Sequence, residues 1–131
     1  MVIDSSAIVA ILLGEAEEVW FVDMISQAAR KLISAATVLE SAIVLESRKG
    51  EPAGRDLDLF LHRAGMEIIS VTPEQIEIAR ACFRRYGKGR HPAGLNFGDC
   101  FSYSLARLSG EPLLAKGQDF TLTDISLVKP K

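Results

Sequence analysis

Four short apolar-centred runs recur along the chain: Met1 to Ile3, Lys31 to Ala35, Met66 to Val71 and Pro112 to Ala115. Segments of helical length separate them. Runs this short predict strands rather than helices, and the first, which stops at Asp4, reads as a buried one. The first helix is expected from Ala7, capped by Ser5-Ser6 and ended by Gly14. Glu15 to Arg30 and Thr37 to Lys49 follow, the latter closed by Gly50, and Pro52 sits where another helix can start. Thr72-Pro73-Glu74-Gln75 opens the next, with a Thr cap and Gln at the capping-box position. Phe97 to Leu108 is the last helix, ended by Gly110, and Leu127-Val128 is a candidate final edge strand.

Strands separated by helices imply a mainly parallel α/β sheet with helices on both faces. Ligands in such folds bind beyond the carboxyl ends of the strands. The chain, 131 residues long with no repeat or linker, reads as a single domain over 1–131. A hydrophobic fraction of 48% excludes a disordered tail. No run approaches the ~20 apolar residues that cross a bilayer. The first four residues lack the basic start of a signal peptide. Cys82 and Cys100 are too far apart for a C-x-x-C motif, and no other Cys completes a zinc set. The cytoplasm is the expected location. A net charge of -2 gives no general attraction to nucleic acid, so any such surface must be local.

The acids carry the chemistry. Asp4 follows the first strand, where it can cap a helix or stand at the sheet's carboxyl edge. Glu40 has Ala36, Ile43 and Val44 as helical neighbours. It therefore lies along an apolar face, where a carboxylate needs a counter-charge, a hydrogen bond or a metal. Asn96-Phe97-Gly98-Asp99 places Asp99 in the first turn of the last helix, as a capping-box acid or a site acid. Asp119 and Asp124 follow the last strand, as turn residues or further members of a cluster. Two carboxylates ~5 Å apart repel by roughly 3 kcal/mol at an effective dielectric near ~20. Several such pairs need a cation. Oxygen ligands without a Cys/His set suit Mg²⁺ or Mn²⁺, and such a cage suits phosphodiester hydrolysis.

The fragments Met1-Val2-Ile3-Asp4-Ser5-Ser6-Ala7, Ser34-Ala35-Ala36-Thr37-Val38-Leu39-Glu40, Tyr86 to Cys100 and Pro112 to Phe120 occur in this order over essentially the whole chain. In this they resemble the PIN-domain family, and specifically the VapC-type toxin ribonucleases of type II toxin-antitoxin pairs. The resemblance implies a PIN-like three-layer sandwich and a Mg²⁺- or Mn²⁺-dependent endoribonuclease. Asp4, Glu40 and Asp99 fall on the family's metal-binding, catalytic acids. The fourth falls on Asp119, with Asp124 the alternative, because this chain has Gly117 where many relatives carry an acid. Ser6 matches a small polar position that supports the first acid.

Arg84, Arg85, Lys88, Arg90 and His91 concentrate positive charge before Asp99. With Tyr86 for stacking and Lys116 near the last acids, they make a candidate RNA-binding surface. His62 and His91 are isolated and are not assigned as general base. The apolar excess around Trp20, Phe21 and Met24 fits a protein-protein surface. The resemblance implies a homodimer and a VapB-type antitoxin. Two alternatives use the same residues: another metal-dependent phosphoesterase or DNA nuclease, and an inactive PIN-like binding module. A receiver domain would need an acidic pair after its first strand, where Asp4 stands alone.

Overall fold

The computed structural model describes residues 1–130. Strands β1 (Val2–Ile3), β2 (Leu32–Ser34), β3 (Glu67–Ile69) and β4 (Leu113–Leu114) form one sheet in the order β3-β2-β1-β4. Every pairing is parallel, with Val2 opposite both Leu32 and Leu113. Helices α1 (Ser5–Leu12), α2 (Glu18–Gln27), α3 (Ala35–Lys49), α4 (Glu51–Arg63), α5 (Pro73–Tyr86) and α6 (Phe97–Ser109) connect the strands, and a short 3₁₀ turn covers Asp119–Leu122. None of the described helices is long and apolar enough to cross a membrane.

Alternation along the strands explains the layers. Ile3, Ile33 and Leu114 point to one face and pack with α1, α2 and α4. Val2, Leu32 and Leu113 point to the other and pack with α5 and α6. Both faces of the central strands are therefore buried, which is why these runs are apolar throughout.

Most expected elements are present, with local differences. The first helix starts at Ser5, not Ala7, because Asp4 rather than a serine is its cap. Thr72 caps α5 by accepting from the Gln75 N–H, as expected. The Gln75 side chain, however, does not return to the cap, because its Nε2 donates to the Ser70 carbonyl at 3.0 Å. Leu127-Val128 is not a strand of the sheet. Leu127 makes an isolated parallel bridge with Leu113 and pairing goes no further.

Candidate active site

The chain passes from β1 into α1 through Asp4, so this residue caps a helix at the carboxyl edge of the sheet. Its carboxylate accepts from the Ser6 N–H at 3.1 Å. It is only 2% exposed, and a buried carboxylate needs partners. Oδ2 also accepts from the Ser6 hydroxyl at 2.7 Å, and Oδ1 accepts from the Ser102 hydroxyl at 2.5 Å. The Ser6 Oγ in turn accepts from the Lys116 N–H at 2.9 Å, tying the loop after β4 to the start of α1.

Glu40 stands on the second turn of α3, half-buried. Burial pushes its carboxyl up; the Ser5 hydroxyl opposes this and the charge of Asp4 adds to it. The Glu40 carboxylate lies where a side chain at Gly98 would begin. The apolar face around Glu40 is not covered by core. Leu39 and Ile43 are exposed, and with Phe97 and Phe101 they line a cleft of about 390 Å³ that includes Glu40 and Gly98.

Asp99 completes the capping box of α6: it accepts from the Asn96 N–H at 2.9 Å, and Asn96 Oδ1 accepts from the Asp99 N–H at 2.9 Å. Its carboxyl is pushed up to about 6, chiefly by burial. The Asn96 backbone bond opposes this, while the charges of Asp4, Asp119 and Glu40 reinforce it. Four acids from four separate chain segments thus share one electrostatic neighbourhood at the sheet's carboxyl edge.

Asp124 is engaged elsewhere. It accepts from the Tyr103 hydroxyl at 2.6 Å and from Arg107 at 2.7 Å, with Arg85 at 3.7 Å. Burial alone would raise its carboxyl, but Tyr103 and the two arginines hold it below the usual range.

The acids converge without closing into a cage. Among the described residues, no three His, Cys, Asp or Glu side chains gather closely enough to enclose an ion. The donor set still fits a hard divalent ion. All its donors are oxygens, Asp4 is pre-oriented, and Mg²⁺ retains several waters while using only one or two carboxylates.

The predicted basic residues separate into two groups. Arg84, Lys88 and Arg90 are exposed, and none of the described ion pairs includes them. Arg85 pairs with Asp124 and lies over the Tyr86 ring at 4.8 Å. Lys116 Nζ sits between Glu15 at 3.0 Å and Glu17 at 3.3 Å. Tyr86 cannot stack on RNA as expected, because it is buried against His91 and Tyr103. Phe21 is likewise core rather than surface; the exposed apolar residues of α2 are Val19 and Val22. Cys82 and Cys100 are free and buried between α5 and α6.

Sequence reasoning missed Ser102 and Gly98. One signal was available for each. Ser102 is a hydroxyl one turn beyond Asp99 on a helix that packs into the core, and Gly98 is a glycine beside a site acid inside a helix.

Fold and site together define an α/β domain with an acidic, oxygen-only site at the carboxyl edge of a parallel sheet. The chain belongs to the PIN domain family, whose profile matches residues 1–125. It is 54% identical over 128 residues to Ribonuclease VapC of Mycolicibacterium smegmatis, covering 98% of this chain and 99% of that protein. It is also 54% identical to Ribonuclease VapC30 of Mycobacterium tuberculosis, covering 98% of each. Among solved structures, VapC20 of M. tuberculosis, a sarcin-ricin loop cleaving toxin, superposes with a TM-score of 0.81 at 20% identity, covering 98% of each chain. A chain of the VapBC2 complex of Rickettsia felis, bound to a promoter DNA fragment, superposes with a TM-score of 0.76 at 14% identity, covering 98% of this chain and 96% of that one.

Proposed function

We propose that this chain is the toxin of a VapBC-type pair, a single-domain endoribonuclease that hydrolyses RNA with a divalent metal ion held by Asp4, Glu40, Asp99 and Asp119. The observation that carries this is the placement of those four acids at one sheet edge, in a chain 54% identical over nearly its full length to ribonucleases. Mg²⁺, or Mn²⁺ in its place, would supply the Lewis acidity that activates water and stabilises the leaving oxygen.

The chain's own residues prepare that site. Ser6 fixes Asp4, and the Asn96 capping box fixes Asp99. The exposed Arg84, Lys88 and Arg90, which precede Asp99 in the chain, would provide phosphate contacts. Lys116 is held beside the site by Glu15 and Glu17, within reach of a phosphate that competes for it. Two apolar faces suit two protein partners, a second copy and a VapB-type antitoxin: one around Leu39, Ile43 and Phe97, the other around Val19 and Val22.

Matched RNA and DNA oligonucleotides, incubated with partner-free protein and Mn²⁺, test the substrate class. Metal-dependent cleavage of the RNA alone is expected. Preferential DNA cleavage would replace the ribonuclease reading with a DNA nuclease.

A further inference from the structure

Building on the metal-site reading above, we propose that Ser102 is a positioning residue that presents Oδ1 of Asp4 to the ion. Two buried groups on separate elements share a hydrogen bond. Ser102 is fully buried in α6, and its hydroxyl donates to Asp4 Oδ1 at 2.5 Å. Asp4 lies at the end of β1, on the opposite side of the chain's sequence.

Counting acceptor directions shows what the contact does. A carboxylate offers about four lone-pair sites over its two oxygens. The Ser6 N–H and hydroxyl both bond to Oδ2, and Ser102 takes one direction at Oδ1. The free direction therefore belongs to Oδ1, the oxygen that Ser102 holds. Ser102 also lies one turn from Asp99 on the same helix, so the bond couples the two acids across α6 and β1.

A neighbouring serine shows that burial alone does not require this contact. Ser104 is equally buried in α6, yet its hydroxyl donates to the Phe101 carbonyl within its own helix at 3.1 Å. Ser102 makes the one serine contact of that helix that reaches an acid of the site.

The test is calorimetric titration of Mn²⁺ into full-length, partner-free protein, with melting temperatures measured alongside. The variants are Ser102→Ala, Ser102→Cys (similar in size but a weak donor) and Ser104→Ala. Outer-shell partners of a metal ligand typically contribute about 10- to 100-fold in affinity. Ser102→Ala is expected to weaken Mn²⁺ binding by about that factor, Ser102→Cys in the same direction, and Ser104→Ala by less than about twofold. Unchanged Mn²⁺ affinity in both Ser102 variants overturns the proposal, as does an equal loss in Ser104→Ala. A wild-type protein that binds no Mn²⁺ overturns the metal-site reading itself, and Ser102's role with it. The two failures are therefore distinguishable.

Discussion

The carboxylate of Glu40 occupies the space that a Cβ on Gly98 would fill. Gly98 lies in the first turn of α6, one residue before Asp99, and carries no positive φ. The backbone there would accept alanine, so the missing side chain serves the neighbour rather than a turn. The absence of a side chain at Gly98 leaves room for the Glu40 carboxylate beside the first turn of α6, next to Asp99 in sequence.

Gly98→Ala therefore separates activity from folding. Glu40 ends a flexible side chain and can swing aside, and alanine favours a helix over glycine by roughly 0.5–1 kcal/mol. The melting temperature is expected to stay within a few degrees of wild type. Metal-dependent cleavage is expected to fall by about 10-fold or more, as for other disturbed metal ligands. Thermal melts and initial rates on the same preparation check both halves.

Asp119 and Asp124 are expected to behave oppositely. Asp119→Asn removes an exposed acid from the cluster, so activity falls while stability changes little. Asp124→Asn loosens the contacts to Tyr103, Arg107 and Arg85, at about 1 kcal/mol of stability. Its cleavage rate is expected to remain near wild type. A reversed pattern would move the fourth acid to Asp124.

In EDTA, the raised carboxyl of Asp99 makes the protein less stable as pH rises. An acid whose folded value, about 6, exceeds its ordinary value of 3.8 binds its proton more tightly when folded. The stabilisation is complete below about 4 and lost as pH climbs through about 6. The ceiling is about 3 kcal/mol, and the partly open surroundings reduce it to about 1–2 kcal/mol. Asp99→Asn should thus melt above wild type at pH 8 in EDTA, with the gap closing below pH 4. Saturating Mn²⁺ should reverse the order by stabilising wild type alone. Melts at several pH values, with and without the ion, measure this directly.

The basic residues should differ in their salt signature. Removing Lys88 or Arg90, which are exposed and in none of the described ion pairs, is expected to weaken RNA binding and lower the slope of log affinity against log salt by up to about one. Arg85→Ala should change that slope less, because Arg85 already pairs with Asp124. Filter binding in EDTA across a salt series reads this without cleavage.

Much of this architecture was legible in the chain because local chemistry and tertiary placement agree. Thr72 and Asn96 form the expected caps, and the runs of β1, β2 and β4 are buried strands, whereas the run of β3 is an edge strand with Glu67 and Ile68 exposed. Asp4 and Asp99 were open to two readings; Asp4 is the cap of α1 and Asp99 the capping-box acid of α6, and both also lie in the electrostatic neighbourhood of the other candidate acids. What was not legible depends on long-range contacts. Tyr86 sits in a basic loop by sequence, but Tyr103 and His91 enclose it. Phe21 lies in an apolar run whose covered side periodicity alone does not settle. The Ser102–Asp4 bond joins residues 98 positions apart, and no local pattern encodes such a pair. Leu127-Val128 has strand-forming residues, yet pairing stops after one bridge.

The most direct test of the account is cleavage of total cellular RNA by the purified, partner-free protein. Reactions contain Mg²⁺ or Mn²⁺, then EDTA, with Asp99→Ala run in parallel to exclude a contaminating nuclease. Discrete fragments that need the metal and vanish in the variant are the predicted result. Cleavage that persists in EDTA or in Asp99→Ala, or folded protein that cuts no RNA with either ion, would contradict a metal-dependent ribonuclease built on these four acids.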